Sequence, residues 1–179
     1  MGGNWHGGEF LTDRLLVAFQ DKRAFVKPVG RATFKLASAL KRFGVSVLSK
    51  GCRDVRFDMS ECTSLDSTFM GVLAGIAMWP VQNGKKVSVT LTGLMPRTRS
   101  MLSTLGLERI IECHEGEADT DAKDGVADAR EVEHDADKEE TLDTMRTAHQ
   151  DLVRADKDNE ARFCDVLTYL DQEIKRVED

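Results

Sequence analysis

Two hydrophobic periodicities alternate along the first 113 residues, and this alternation restricts the possible folds more than any other feature of the chain. Apolar residues occupy every second position in residues 54–59 and 86–91, which predicts strands. In residues 34–50 they recur every three or four positions, which predicts one apolar face of a helix. Two short apolar segments at 15–19 and 23–29, separated by a polar turn, predict a β-hairpin.

Further helices are predicted over residues 68–81 and 96–105, and a short strand or edge segment over 107–113. The resulting order is β-β-α-β-α-β-α-β. This order favours an α/β fold with a mixed, largely parallel sheet of about four to five strands, an antiparallel first strand, and helices packed on the sheet. Pro28 donates no ladder hydrogen bond, so the second strand should end near it or be exposed there.

Charge divides the chain into two parts of opposite sign. Residues 1–113 carry 16 Lys and Arg against nine Asp and Glu, a balance of +7, whereas residues 114–179 carry nine against 22, a balance of −13. The cations of the first part are scattered and lack interleaved aromatic residues, so we expect no direct contact with nucleic acid. No apolar run is long enough for a membrane span, and the start lacks the pattern of a secretory signal. The expected location is cytoplasmic, away from membranes.

Four regions are predicted along the chain: a flexible N-terminus over residues 1–10, a folded domain over 11–113, an acidic linker over 114–140, and a C-terminal amphipathic helix over 141–178. The linker has twelve acidic and three basic residues and little hydrophobic periodicity. In the last region, largely apolar residues recur at steps of three and four. This helical extension packs back on the domain, forms a homo-oligomer, or binds another protein, and the periodicity does not distinguish these alternatives.

The sequence contains no recognisable constellation for metal, cofactor or catalytic chemistry. Its four cysteines are widely spaced and form no zinc-like pattern with histidine. A phospho-accepting receiver domain would use Asp58 but needs a further acidic pair and a later lysine that we do not find. A serine hydrolase using Ser67 needs an activating base and an oxyanion hole, and the four histidines lie in flexible or appended regions. We therefore expect no metal, no cofactor and no enzymatic activity.

Asp66 and Ser67 stand at the predicted N-terminus of the second helix, where their side chains can cap free backbone amides. On its own, this pair indicates first of all a helix cap. A hydroxyl at this position is also exposed to another protein. The amides and the helix dipole would partly accommodate a phosphate on Ser67, whereas Asp66 would oppose its charge of about −1.5 to −2. Phosphorylation would then change a docking surface without unfolding the core.

The same segment carries a family resemblance. Residues 66–73, DSTFMGVL, resemble the Asp-Ser-Ser-Gly-Leu-Gly-Val-Leu segment of STAS domains in the anti-sigma factor antagonist family. Residues 84–89, GKKVSV, resemble the glycine and core strand that follow in that family, and residues 101–111, MLSTLGLERII, resemble its leucine-glycine-leucine ending. The order and spacing of the three segments extend the resemblance over residues 11–113.

The resemblance implies a STAS domain and regulation by partner switching. The unphosphorylated antagonist binds a kinase-type anti-sigma factor, a serine/threonine kinase, and so releases the sigma factor; the kinase phosphorylates the antagonist, and a serine phosphatase resets it. Carried over by position, Ser67 is the phosphoacceptor and Thr68 a weaker candidate. Phe69 and Met70 stand where the family often has Gly-Leu, which would enlarge the surface beside the switch. The implied docking surface comprises Asp66, Ser67, Thr68, Met70 and Gly71.

A second hypothesis keeps the fold and drops the switch. The chain would then be a STAS scaffold or adaptor that binds its partner through the C-terminal helix, and Ser67 would only cap a helix. The two hypotheses differ in phosphate uptake at Ser67 and in the effect of altering the C-terminal helix.

Overall fold

The computed structural model describes residues 12–80, 86–114, 116 and 128–178. The predicted flexible N-terminus, the segment that contains Asn83 and Gly84, and residues 115 and 117–127 of the predicted acidic linker lie outside these residues. Within the described ranges, no helix is long and apolar enough to cross a membrane.

A mixed sheet of seven strands forms the centre of the fold. Its strand order is β6-β5-β3-β2-β1-β7, and β4 pairs separately with β2. The β1–β2 and β1–β7 pairs are antiparallel and the remaining pairs are parallel, which confirms the predicted antiparallel first strand. The strands are β1 (Arg14–Gln20), β2 (Arg23–Ala32), β3 (Asp54–Asp58), β4 (Cys62–Leu65), β5 (Ser88–Thr92), β6 (Glu112–Cys113) and β7 (Arg130–Glu131).

Five α-helices accompany the sheet in the described residues, and α1 and α2 pack on each other and on the strands. Their buried apolar residues join those of the central strands in one hydrophobic core. The first three helices occupy the predicted positions within a few residues. The helices are α1 (Phe34–Ser49), α2 (Ser67–Ala77), α3 (Pro96–Thr104), α4 (Lys138–Ala155) and α5 (Glu160–Glu178).

The β1–β2 hairpin turns through two residues, Asp21 and Lys22, whose φ angles are 51° and 62°. Positive φ at both central residues is the geometry of a turn that matches the right-handed twist of the flanking strands. β2 then runs beyond Pro28, which is buried and paired with Leu15 of β1. The prediction that β2 ends near this proline or is exposed there is therefore wrong. Pro28 lies between the part of β2 that pairs with β3 and the part that pairs with β4, where no donor is needed.

Two short strands enlarge the sheet beyond the predicted four to five. β4 forms within residues 60–65, for which the sequence patterns predict no strand, by pairing with the C-terminal end of β2. β7 lies inside the predicted linker and pairs with Leu16 and Val17 of β1. Strands of two to four residues are too short to show a periodicity, and the partner edge decides whether they form.

The C-terminal region consists of two helices, whereas one continuous helix over 141–178 was predicted. The chain leaves the helical conformation at Asp156, whose φ and ψ are −149° and 118°. A short 3₁₀ turn over Lys157–Asn159 leads into α5. The buried Asn159 side chain holds the corner, because its Nδ2 donates to the main-chain oxygens of Leu105 at 3.0 Å and Leu152 at 2.9 Å. The apolar periodicity continues without interruption across residues 156–159, so the sequence pattern does not indicate a break in the helix.

Candidate functional site

Asp66 joins the N-termini of two helices. One carboxylate oxygen, Oδ1, accepts a hydrogen bond from the Phe69 amide at 2.8 Å and so caps α2, as predicted. The other, Oδ2, accepts from the Phe34 amide at 2.7 Å, at the start of α1. Since one side chain serves both helices, it fixes the position of Ser67 relative to α1.

Ser67 is the first residue of α2 and is half-buried. Its Oγ lies 3.0 Å from Nε2 of His149, a residue of α4. The other ring nitrogen of His149, Nδ1, lies 2.7 Å from the main-chain oxygen of Met145. A carbonyl oxygen only accepts, so Nδ1 carries the hydrogen and Nε2 of the neutral ring accepts the hydroxyl proton of Ser67. The pair therefore links the candidate phosphoacceptor to the C-terminal region.

The His149 ring is held tightly in this position. It is 3% exposed, and the ring of Phe163 from α5 packs against it edge to face with centroids 4.9 Å apart. His149 lies in the appended C-terminal region, as expected for the four histidines, but folding brings it next to Ser67. His149 falls on the periodic apolar positions of α4, but 82 residues separate it from Ser67, and no sequence pattern connects them. Behind the ring stands a main-chain carbonyl, where a serine hydrolase has a carboxylate.

The other predicted docking residues lie beneath α4 or in the core. Thr68 is 3% exposed and Met70 2%. A Cβ added to Gly71 would lie only 2.2 Å from the carbonyl oxygen of Ala148, so the main chains of α2 and α4 touch at this glycine. Phe69, which was predicted to enlarge the surface beside the switch, is fully buried and belongs to the core.

Opposite charges and one buried hydroxyl pair attach α4 to α1. Ser38 Oγ donates to Thr144 Oγ1 at 3.1 Å inside the contact. At the edge, Lys41 Nζ lies 2.9 Å from Asp143 Oδ2. The hydrogen bond from Lys41 and its charge lower the pKa of Asp143 below its ordinary value. The basic first part of the chain thus meets the acidic last part here.

Arg42 of α1 extends this charged edge. Its guanidinium lies 2.5 Å from a carboxylate oxygen of Glu140 on α4 and also contacts Asp135, which precedes the helix. It donates in addition to the main-chain oxygen of Glu133. One arginine therefore holds both the first turns of α4 and the segment that leads into it.

A largely apolar cavity of about 320 Å³ lies between α1, α2 and α4. Asp151 of α4 stands at its wall, and one carboxylate oxygen occupies the space beside Gly75. Burial raises the pKa of Asp151 despite its ion pair with Arg154 at 2.8 Å. The apolar part of the lining includes Val45, Leu48, Val72, Ile76 and Trp79.

Asp58, the residue that a receiver domain would phosphorylate, is engaged in a buried ion pair. Its Oδ2 lies 3.1 Å from Lys27 Nζ, and its Oδ1 accepts from the Ser60 amide at 3.0 Å. Burial opposes ionisation, but the hydrogen bonds from Ser60 and the charge of Lys27 outweigh it and lower the pKa of Asp58. Among the described residues, no group of three or more His, Cys, Asp or Glu side chains is arranged to hold a metal ion.

A family match and two similar solved structures agree with one another. The family described as Mlab, STAS domain matches residues 15–112. A Thermotoga maritima protein assigned as an anti-sigma factor antagonist has a similar structure, with a TM-score of 0.50, 20% identity and coverage of 62% of this chain and 92% of its own. An anti-sigma factor antagonist from Mycobacterium paratuberculosis is similar at a TM-score of 0.50 and 23% identity, over 66% of this chain and 95% of its own. Comparison with curated protein sequences gives no match.

Proposed function

Because the chain belongs to the STAS domain family, we propose that it is an anti-sigma factor antagonist that works by phosphorylation-controlled partner switching. Two solved structures of similar fold are described as anti-sigma factor antagonists. The observation that carries the proposal is the position of Ser67, half-buried at the N-terminus of α2 beside its capping Asp66. In this proposal the protein acts in the cytoplasm and has no enzymatic activity of its own.

The proposed cycle has two covalent steps at Ser67. A kinase-type anti-sigma factor binds the unphosphorylated protein and releases its sigma factor. The kinase then transfers the γ-phosphoryl group of ATP: the bond from Oγ to phosphorus forms, the bond from phosphorus to ADP breaks, and the hydroxyl proton passes to a base of the kinase. A serine phosphatase returns the hydroxyl by hydrolysis. The added charge lies beside Asp66 and weakens binding. The docking surface that the resemblance implies also includes Thr68, Met70 and Gly71; the first two are buried in this structure and Gly71 lies against α4.

Burial favours Ser67 over Thr68 as the acceptor. The Thr68 side chain is 3% exposed, so a kinase would reach it only after α2 had moved. Ser67, one residue earlier, keeps part of its surface open.

Phosphopeptide mapping of the protein from its native cells, with and without phosphatase treatment, tests the proposal. We expect one phosphate, on Ser67, that the treatment removes. We also expect the Ser67→Ala variant to stay bound to the kinase in the presence of ATP, and the Ser67→Glu variant to bind the kinase more weakly. Absence of phosphate across growth conditions would contradict the switch.

Ser67→Ala needs a control, because it removes the hydrogen bond to His149 together with the phosphoacceptor. The matched variant is His149→Phe, which breaks the same bond and keeps both the Ser67 hydroxyl and a ring against Phe163. If the phosphate is what matters, His149→Phe still responds to the kinase and Ser67→Ala does not.

One observation favours the adaptor as a second candidate. α5 packs on α4 along one side and exposes Val166, Tyr169 and Val177, and Tyr169 is 59% exposed. Such residues would serve a protein partner or self-association through the C-terminal helix. The adaptor predicts that Tyr169→Arg abolishes partner binding while Ser67→Glu has no effect, and sedimentation of the Tyr169→Arg variant tests for a homo-oligomer.

A further inference from the structure

We propose that α4 is an intramolecular cover for the Ser67 face, and that docking of α4 and phosphate on Ser67 exclude each other. The Ser67 face is defined as the side of α2 that carries Ser67, Gly71 and Gly75. The inference rests on the proposed function for its biological role, but the exclusion itself is a property of this chain alone.

The helices α2 and α4 lie in direct main-chain contact. The space that a Cβ at Gly71 would need is taken by the Ala148 main chain, and the corresponding space at Gly75 is taken by Asp151 Oδ2 at 2.4 Å. Two glycines one helical turn apart thus let α4 lie directly on α2. While α4 is docked, no other chain can occupy this part of the Ser67 face.

The space between Ser67 Oγ and α4 is too small for a phosphate. A phosphoryl group places phosphorus and three further oxygens beyond Oγ, where His149 Nε2 already lies at 3.0 Å. The His149 ring therefore occupies space that the phosphate oxygens would need. The ring cannot turn aside, because Phe163 and the Met145 carbonyl hold it. Phosphate on Ser67 therefore requires α4 to move away.

α4 can leave without breaking the strand pairs of the sheet. The elements from β1 to β6 precede α4 in the chain and pair with one another, whereas α4 adds Ala148 and Leu152 to the hydrophobic core from outside the sheet. The charged contacts of α4, such as Lys41 with Asp143, lie at the solvent-exposed edge. The segment before α4 is held by Arg42 and by β7, which pairs with β1 through two residues. Detachment thus breaks the contacts of α4 with α1 and α2 and leaves the strands β1 to β6 paired.

A reversible disulfide between α2 and α4 measures the docking directly. The Cβ position at residue 75 lies 4.0 Å from the Cβ of Asp151, within the range of natural disulfides. We would prepare the full-length chain with Gly75→Cys and Asp151→Cys, and with the accessible Cys113 and Cys164 changed to serine. Equilibration in glutathione buffers gives the effective concentration of the two thiols, which reports how much of the time α4 is docked.

The comparison is between this chain with Ser67 and the same chain with phosphoserine incorporated at position 67 during translation. We expect the effective concentration to fall by at least about tenfold, within the usual range of coupling between two sites. Phosphoserine at the exposed Ser100 of α3 is the matched control for added charge and should leave it unchanged. Ser67→Glu, examined beside them, should lower it in the same direction.

An unchanged or increased effective concentration in the phosphoserine-67 chain overturns the proposal, since the phosphate would then be compatible with docked α4. Protection of β3 and β5 amides from hydrogen exchange, equal in all chains, shows that the sheet is folded. Failure of the proposed function would look different: the phosphate would be absent from Ser67 in native cells, whatever the disulfide measurement shows.

Discussion

Gly71→Ala tests how α4 sits on α2, because residue 71 faces the main chain of α4. The new Cβ would lie 2.2 Å from the carbonyl oxygen of Ala148, 2.5 Å from its carbonyl carbon and 2.7 Å from its Cβ. Non-bonded heavy atoms pack at about 3.5 Å or more, and helical main chain cannot rotate out of the way as a side chain does. α4 must therefore withdraw from α2 by roughly 1 Å.

The magnitude follows from the contacts that such a withdrawal breaks. The bond between Ser67 and His149 lengthens from 3.0 Å, and the bond from Ser38 to Thr144 lengthens from 3.1 Å, both beyond hydrogen-bonding distance. Each contributes about 1 kcal/mol, so the docked state loses about 2 kcal/mol. The population of undocked α4 then rises about 30-fold. Alanine also favours the α2 helix by about 1 kcal/mol over glycine, so the core itself should not lose stability.

Hydrogen exchange followed by mass spectrometry separates these effects. In Gly71→Ala we expect α4 amides to exchange about 30-fold faster, while β3 and β5 keep their protection. Gly75→Ala is the matched control, because its Cβ meets the end of the Asp151 side chain, which can turn aside. The reasoning is refuted if α4 keeps wild-type protection in Gly71→Ala, or if both substitutions loosen it equally.

Four further predictions concern α4 and the corner that follows it. His149→Phe should lower the free energy of α4 docking by about 1 kcal/mol through loss of the Ser67 hydrogen bond, and α4 amide exchange measures this; unchanged exchange would mean that the bond contributes nothing. The pKa of Asp143 is lowered, so its contribution to docking is complete above the ordinary value of 3.8 and is lost as the pH falls through the folded pKa. Acid should therefore release α4, and Asp143→Asn should remove this pH dependence. The pKa of Asp151 is raised, so this residue acts with the opposite sign: stability falls as the pH rises from 3.8 through the folded pKa. Asp151→Asn should therefore raise the free energy of unfolding in urea at pH 7. A lower free energy of unfolding would show that the ion pair with Arg154 outweighs the cost of burial. Asn159→Ala removes the side-chain donor from the buried carbonyls of Leu105 and Leu152, the second of which keeps the Asp156 amide. It should lower the free energy of unfolding by about 2 kcal/mol and speed amide exchange in α5.

Local patterns in the sequence determined the order and placement of the three helices and the longer strands in the first 113 residues. The helix predicted over 34–50 occupies Phe34–Ser49, and the one predicted over 96–105 occupies Pro96–Thr104. Both are readable because a helix with one buried face must repeat its apolar residues every three or four positions. The capping role of Asp66 is readable for a similar reason, since a cap depends on residues within one turn.

Tertiary structure alone decided what covers Ser67. The apolar periodicity of the C-terminal region is equally compatible with packing on the domain, self-association and binding of a partner. In the folded chain, α4 packs on α2 and His149 lies against Ser67. Tertiary structure also decided the corner at Asn159, whose partners are carbonyls in two other parts of the chain. These contacts join residues up to 106 positions apart. Periodicity reports which face of an element is buried, whereas the identity of its partner depends on shape and polar pairing between surfaces that meet only after folding.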